Sequence, residues 1–190
     1  MCEPRETMIA LVFSGILFLC HSHAACFTKG NGDHPNASEV MRDLPLTYMR
    51  QSLGNYNLIC AYQRFYNETR KSESKTYQKY DLFFFYKNGG ITSQPRYVRN
   101  VTENKVRMSN RPETWFEINS ELQILYSDMN SCMITWNPDR HFPEACNLMV
   151  KKESFFSPPE ICLRKFQQHC NSTGFNYTID NNCPEPKRKY

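Results

Sequence analysis

The sequence lacks the short motifs that mark common catalytic sites. It contains no Gly-x-Ser-x-Gly, no His-Glu-x-x-His and no glycine-rich phosphate loop. Beyond residue 24 the histidines are His34, His141 and His169. His169 falls near the end of a predicted helix, where a cation interacts favourably with the helix dipole. We therefore expect a protein that is not an enzyme, with no catalytic residue, no metal and no cofactor.

The chain also lacks a strong excess of one charge and a long apolar run. Its formal net charge is +4, and three of the cations stand in a basic tail at 187–190, so we expect no nucleic-acid partner. The run Met8–Cys20 is too short to span a bilayer. It precedes Ser22-His23-Ala24, which has small residues at the −3 and −1 positions of a signal-peptidase site. We predict a signal peptide at 1–24, a single secreted domain at 25–190 and no membrane span.

No Cys-x-x-Cys pair is present, and seven cysteines remain beyond residue 24. In an oxidising compartment they indicate a disulfide framework rather than a metal site. Because seven is odd, one cysteine stays free or pairs with another chain. Secretion also gives meaning to the N-glycosylation sequons, at which we expect surface glycans: Asn36, Asn67, Asn100, Asn171 and Asn176.

The hydrophobic pattern predicts one short helix followed by many strands. Ala37, Val40, Met41 and Leu44 have the spacing of one helical face, which ends at Pro45. From there on, strand candidates recur about every ten residues, which favours an antiparallel sandwich or barrel. The candidates are Tyr56–Gln63, Tyr77–Tyr86, Ile91–Arg99, Lys105–Met108, Thr114–Asn119, Leu122–Ser127 and Cys132–Trp136.

Two features favour a closed barrel with a helix on its wall. The run Phe83-Phe84-Phe85 places bulky apolar groups on both faces of one strand, which calls for a lumen on one side and a cover on the other. Ser157-Pro158-Pro159-Glu160 matches a capping box and predicts a helix that runs through Cys162, Phe166 and Cys170. Eight helical residues rise about 12 Å, whereas bridged Cα atoms lie within about 7 Å. Cys162 and Cys170 therefore cannot pair with each other.

These residues resemble the tick salivary lipocalins that include the histamine-binding proteins. The resemblance lies in Cys60, Tyr126-Ser127-Asp128 before Cys132, Cys146-Asn147-Leu148-Met149, Pro158-Pro159-Glu160-Ile161-Cys162 before Phe166 and Cys170, and a tyrosine-containing last strand before Cys183. It implies an all-β fold with flanking helices, in which disulfides attach the C-terminal helix to an eight-stranded antiparallel lipocalin-like barrel. It also implies the pairs Cys60 with Cys183, Cys132 with Cys162, and Cys146 with Cys170, which leaves Cys26 unpaired.

The resemblance further implies sequestration of a small host molecule or interference with a host immune protein. An amine ligand needs buried carboxylates, but Gln51, Gln123, Met133 and Asn147 fall where the amine binders of the family carry acids. We therefore expect the chain to resemble the japanin-like, immune-modulating branch. The expected partners are a small hydrophobic host ligand (lipid, sterol or eicosanoid), a host immune-cell or plasma protein, or both.

The residues that we expect to line the lumen are mostly aromatic. They are Tyr48, Gln51, Phe84, Tyr86, Trp115, Phe116, Tyr126 and Trp136. Two alternatives stay open. One is a scavenger of a biogenic amine, histamine or serotonin. The other is a protein-interaction module whose barrel is filled, for which we expect a lumen below about 300 Å³.

Overall fold

The computed structural model describes residues 30–67, 70–72, 75–113, 117–138, 145–178 and 183, with only the backbone described over 70–77. The predicted signal peptide, Cys26, Trp115, Phe116 and the basic tail lie outside these ranges. The chain divides into two compact units, Met1–Asn31 and Gly32–Tyr190. All the strands and helices given below belong to the second unit.

A sheet of ten antiparallel strands, counted over the described residues, closes on itself. The strands are β1 (Leu46–Ser52), β2 (Leu58–Phe65), β3 (Arg70–Ser72), β4 (Lys75–Tyr86), β5 (Ile91–Thr102), β6 (Lys105–Ser109), β7 (Ser120–Ser127), β8 (Cys132–Trp136), β9 (Cys146–Val150) and β10 (Phe175–Asn176). β1, β2 and β4 to β9 pair in that order, and β9 pairs back with β1, while β3 pairs with β4 and β10 with β1. The predicted eight-stranded antiparallel barrel is thereby confirmed.

The connection between β6 and β7 differs from the predicted strand over Thr114–Asn119. The first three residues of that segment lie outside the described ranges, and the last three belong to no strand. Arg99 fixes the start of the connection, because its guanidinium donates to the backbone carbonyls of residues 111, 112 and 113. Pairing between β6 and β7 begins at Met108 and Ser120.

The predicted N-terminal helix is confirmed as α1, Ala37–Asp43. It begins where the Asn36 side chain accepts hydrogen bonds from the amides of Ser38 and Glu39, at 2.9 and 3.4 Å. Its buried residues pack into the same apolar cluster as the inner faces of the strands. The Ala37 amide also donates to the carbonyl of Glu103, between β5 and β6, at 2.7 Å. α1 thus covers one end of the barrel.

The C-terminal helix is α2, Glu160–Cys170, preceded by a short 3₁₀ helix at Lys152–Ser154. The capping box predicted at Ser157 is wrong, because Pro159 is the N-cap and no side chain caps the helix. A residue that precedes a proline is pushed out of the helical region, so Ser157 and Pro158 stay outside the helix. The three residues predicted to share a face, Cys162, Phe166 and Cys170, are buried together, and α2 packs against β7, β8 and β9.

Alternating side chains divide the core into two clusters. The inner cluster includes Val40, Met49, Ala61, Ile124 and Met149, and the outer cluster includes Tyr48, Tyr62, Tyr126, Leu148 and Phe166. Phe84 belongs to the inner cluster, whereas its neighbours Phe83 and Phe85 pack on the outer one. On that outer face Tyr62 stacks on both of them, with ring centroids 4.7 and 5.8 Å apart. The prediction that this run carries apolar groups on both sides of its strand is confirmed.

Three disulfides hold the barrel and its surroundings together. They join Cys60 to Cys183, Cys132 to Cys162, and Cys146 to Cys170, the pairs that the family resemblance implies. The first connects β2 with the C-terminal segment. The other two attach the two ends of α2 to β8 and β9, as the rise of the helix requires.

Candidate ligand-binding site

The barrel contains a cavity of about 290 Å³. Its apolar wall is formed by Met49, Leu82, Phe84, Tyr86, Leu122 and Met149. Polar side chains from several strands also face it, among them Gln63, Gln94, Arg96, Ser120, Thr135 and Asn147. The cavity reaches Tyr56, Asn119 and Ala145 in the loops at the end of the barrel away from α1. The site is therefore a lumen with an apolar body and a few polar groups, as in many small-molecule sites.

A buried hydrogen-bond network connects the cavity to the deeper core. Tyr80 donates its hydroxyl proton to Gln63 Oε1, and Gln63 Nε2 donates to Thr47 Oγ1 at 3.0 Å. Burial raises the pKa of the Tyr80 hydroxyl far above its usual value. The phenol therefore stays neutral, and it satisfies an amide that faces the cavity.

Arg96 contributes a positive charge to the lumen. It lies on β5 opposite Tyr80 and shares its face with Gln94, to which its Nη2 donates at 3.2 Å. Burial lowers the pKa of its guanidinium, because desolvation disfavours the charged form. Among the described residues, no carboxylate forms an ion pair with Arg96. Its charge therefore faces the cavity without a counter-charge from this part of the chain.

Asn147 contributes an unpaired acceptor. It lies on β9 opposite Thr135 of β8, and both residues line the cavity. Its Oδ1 is buried and accepts no hydrogen bond from any described residue. Buried amide oxygens are normally paired, so this atom is available to a donor that enters the lumen.

Carboxylates are absent from the described part of the lining. Of the four positions at which the amine binders are expected to carry acids, Asn147 lines the cavity and Met133 lies in the inner cluster. Gln51 donates to Asn176 Oδ1 at 2.7 Å, and Gln123 donates to Glu121 Oε1 at 2.8 Å. None of the four therefore supplies a negative charge.

Two of the predicted lumen residues, Phe84 and Tyr86, line the cavity. Both lie on β4, whose register on β2 places Phe84 opposite Ala61, another lining residue. Trp115 and Phe116 lie outside the described residues. The aromatic wall expected from the sequence is thus represented by the inner face of β4.

Four other predicted lumen residues lie elsewhere. Tyr48 and Tyr126 belong to the outer cluster, Trp136 is 36% exposed beside Cys146 and Cys170, and Gln51 contacts Asn176. The reason is the two-residue period of a strand, in which each side chain faces opposite to its neighbour. Met49 and Thr135 line the lumen, so Tyr48 and Trp136 face outward. In β7 a register shift between Ile124 and Tyr126 puts Tyr126 on the outer side.

Sequence reasoning missed Arg96, the one charged residue in the described part of the lining. It lies within the predicted strand Ile91–Arg99, and the signal was present. Gln94, Arg96 and Val98 alternate with the exposed Pro95, and Val98 packs against the inner cluster. This alternation marks Arg96 as a cation on the inner face of its strand.

Tyr177 fixes one loop at the mouth of the lumen. Its hydroxyl donates to the carbonyl of Gly54 and accepts from the amide of Tyr56, the latter at 3.1 Å. Its own amide donates to the carbonyl of Arg50 at 2.9 Å. The segment after α2 therefore holds the β1–β2 loop, which supplies Tyr56 to the lining.

Other polar groups lie away from the lumen. Asp33 accepts hydrogen bonds from Lys165 at 2.8 Å and from His169 at 3.0 Å, a bridge between the N-terminal segment and α2. Asp128 lies close to Cys132 and Cys162, but these two sulfurs form a disulfide and are not free to bind a metal.

The asparagines of all five sequons are exposed. Neither of the described helices has the length and hydrophobicity that crossing a bilayer requires.

Comparison with known proteins places this barrel in a family. The sequence model of the tick histamine binding protein matches residues 46–185, most of the chain and all ten strands. The chain belongs to the tick histamine-binding protein family. It is thus a lipocalin of a family that binds small ligands, and the lumen described above is the cavity that this fold provides.

Solved structures share the fold of this family member. The crystal structure of the AM182 serotonin complex has 19% sequence identity and a TM-score of 0.51, covering 80% of this chain and 95% of that one. Per a 4, a major allergen from cockroaches, has 10% identity and a TM-score of 0.51, covering 72% and 80%. A search of the curated proteins found no match. At these identities the likeness concerns the fold alone.

Proposed function

We propose that this lipocalin binds a small, largely apolar ligand, a lipid, sterol or eicosanoid, in its lumen and so modulates a host immune or inflammatory response. The observation that carries the proposal is the lining. Apolar and aromatic side chains dominate it, and its described part contains no carboxylate. Burying apolar surface favours such a ligand by about 25 cal/mol per Å².

The cavity volume of about 290 Å³ lies just below the value of about 300 Å³ under which a filled barrel is expected. Volume by itself therefore favours the filled barrel by a narrow margin. The polar groups are more informative, because Arg96 has no counter-charge and Asn147 Oδ1 no donor among the described residues. A filled barrel would leave the Arg96 charge without an anion and Asn147 Oδ1 without a donor in this part of the chain, which costs free energy. A compact ligand satisfies them.

The second candidate is a scavenger of a biogenic amine. The name of the family and the serotonin complex of AM182 favour it. The lining opposes it, because a buried ammonium needs a carboxylate partner. The described lining instead offers the guanidinium of Arg96, which repels a cation.

Secretion and glycosylation complete the proposal. The predicted signal peptide and the three disulfides are typical of an exported protein. Exposure of all five sequon asparagines is compatible with N-linked glycans. A secreted barrel meets host mediators directly, and it can also contact a host immune-cell or plasma protein through its outer surface.

Native mass spectrometry tests the proposal on full-length protein secreted from insect cells and enzymatically deglycosylated. We expect an adduct that organic extraction releases and identifies as an apolar compound. An amine adduct, or tight binding of added histamine or serotonin, would establish the second candidate instead. A protein that carries no adduct and takes up neither lipids nor amines has a filled barrel, which contradicts both.

A further inference from the structure

We propose that the ligand of this lumen is an acid whose carboxylate binds Arg96, with a hydrogen-bond donor elsewhere on the ligand that reaches Asn147. This inference rests on the proposed function and narrows its ligand class. It separates carboxylic acids with an apolar body from neutral lipids such as sterols, and from amines.

Most hydrogen-bond donors of the Arg96 guanidinium have no partner among the described residues. A guanidinium has five N–H donors, and one described hydrogen bond, to Gln94, occupies a single donor. Two other arginines of the barrel use their donors within the protein. Arg99 donates to Ser109 and to three backbone carbonyls, and Arg107 forms an ion pair with Glu121 at 3.0 Å. Arg96 thus retains both its charge and its donor capacity toward the cavity.

A carboxylate is the group that best matches the guanidinium of Arg96. A partly desolvated cation is costly unless an anion accompanies it. The planar fork of a guanidinium matches the two oxygens of a carboxylate and binds them through parallel hydrogen bonds. The described lining supplies no carboxylate of its own, and a ligand that carries one would supply the missing anion.

Asn147 gives an independent indication that a polar ligand enters. Its Oδ1 is buried in the lining without a partner in the described part of the chain. A carboxylate cannot donate to it, whereas a hydroxyl can. The two positions therefore require different groups on one ligand, an acid at Arg96 and a donor such as a hydroxyl at Asn147.

The apolar wall of the cavity favours a hydrocarbon body for the rest of the ligand. Met149, two residues after Asn147, and Phe84 face the same cavity. A flexible hydrocarbon body can occupy this wall, and methionine side chains adapt to irregular ligands. The small volume favours a short or folded chain over a rigid ring system.

The test uses the full mature protein, freed of lipid, and the neutral fluorescent probe N-phenyl-1-naphthylamine. The affinity for each competitor is measured at pH 7.5 from its displacement of the probe. The competitors are lauric acid, dodecanol and 12-hydroxylauric acid. We expect lauric acid to bind roughly ten- to hundredfold more tightly than dodecanol, the effect of a charge-assisted hydrogen-bonded pair. Arg96→Gln should abolish this preference and Arg96→Lys should keep part of it. Arg107→Gln, which removes an outer-face ion pair, should leave it unchanged.

The wild-type comparison of acid with alcohol needs no variant, so a folding defect in Arg96→Gln does not block the test. Equal affinities for the acid and the alcohol, or a preference that survives in a folded Arg96→Gln variant, would overturn the inference while leaving apolar binding intact. If neither the probe nor any of the compounds binds, the proposed function itself fails. Asn147→Leu should lower the affinity for 12-hydroxylauric acid at least fivefold more than the affinity for lauric acid. An equal loss of affinity for both compounds would refute the role of Asn147.

Discussion

Phe166 of α2 provides the sharpest test of the division between lumen and outer wall. Its side chain is fully buried in the outer cluster, whereas Phe156, ten residues earlier, is 79% exposed. Truncation of a buried phenylalanine to alanine costs about 3–5 kcal/mol. In a protein of this size each kcal/mol lowers the melting temperature by about 2–4 °C. Phe166→Ala should therefore melt roughly 6–20 °C below the wild type.

The matched control is Phe156→Ala, which should change stability by no more than about 0.5 kcal/mol. Differential scanning calorimetry of both variants, with the disulfides intact, measures the contrast. Since Phe166 lies on the outside of the barrel wall, the affinity of the lumen for its apolar probe should stay within about twofold. Equal melting temperatures for the two variants would refute the assigned packing. Loss of probe binding by a folded Phe166→Ala would refute the separation of the two clusters.

Three further predictions concern the other features of the fold. Tyr80→Phe leaves Gln63 Oε1 without its donor and should cost about 1–3 kcal/mol in urea unfolding; an unchanged midpoint would contradict the network. Burial alone would raise the pKa of Asp128, but hydrogen bonds from the Ser131 side chain and nearby backbone amides outweigh it and hold the pKa below its usual value. The stability that results is present above the unfolded pKa and disappears as the pH falls through the lower folded pKa. The free energy of unfolding of Asp128→Asn should therefore fall less than that of the wild type between pH 7 and pH 2. Equal decreases in the two proteins would contradict this. Replacing Cys146 and Cys170 together by serine opens a loop with a sequence separation of 24 and should cost about 3 kcal/mol without changing lumen affinity; a variant as stable as the wild type in thermal melts would show that this disulfide contributes little.

The secondary structure could be predicted from the sequence wherever the apolar residues of a helix or strand have a recognisable spacing. The spacing of Ala37, Val40 and Met41 gives α1, because these are the residues that it buries. Phe83-Phe84-Phe85 indicates a strand packed on both sides. The start of α2 could not be obtained in this way, since the capping pattern at Ser157 ignores the constraint that Pro159 places on the residues before it.

The direction in which each strand residue points was harder to predict. A shift of one residue exchanges the two faces of a strand, and an apolar strand covered on both sides gives no signal for choosing between them. Tyr48 and Met49 are both buried, yet they lie on opposite sides of the barrel wall. The register shift that turns Tyr126 outward depends on pairing with β8 and is not encoded in β7 alone. Of the lumen residues expected from the sequence, two therefore line the cavity and four lie elsewhere.

Calorimetric titration of the lipid-free protein with serotonin and with lauric acid, in the same buffer at pH 7.5, distinguishes a lumen for acids from a lumen for amines. The lumen offers Arg96 and an apolar wall and, in its described part, no carboxylate. We therefore predict measurable binding of the acid and no binding of serotonin at concentrations that saturate with the acid. Tight binding of serotonin together with no binding of lauric acid would refute the assignment of an apolar acid to this lumen.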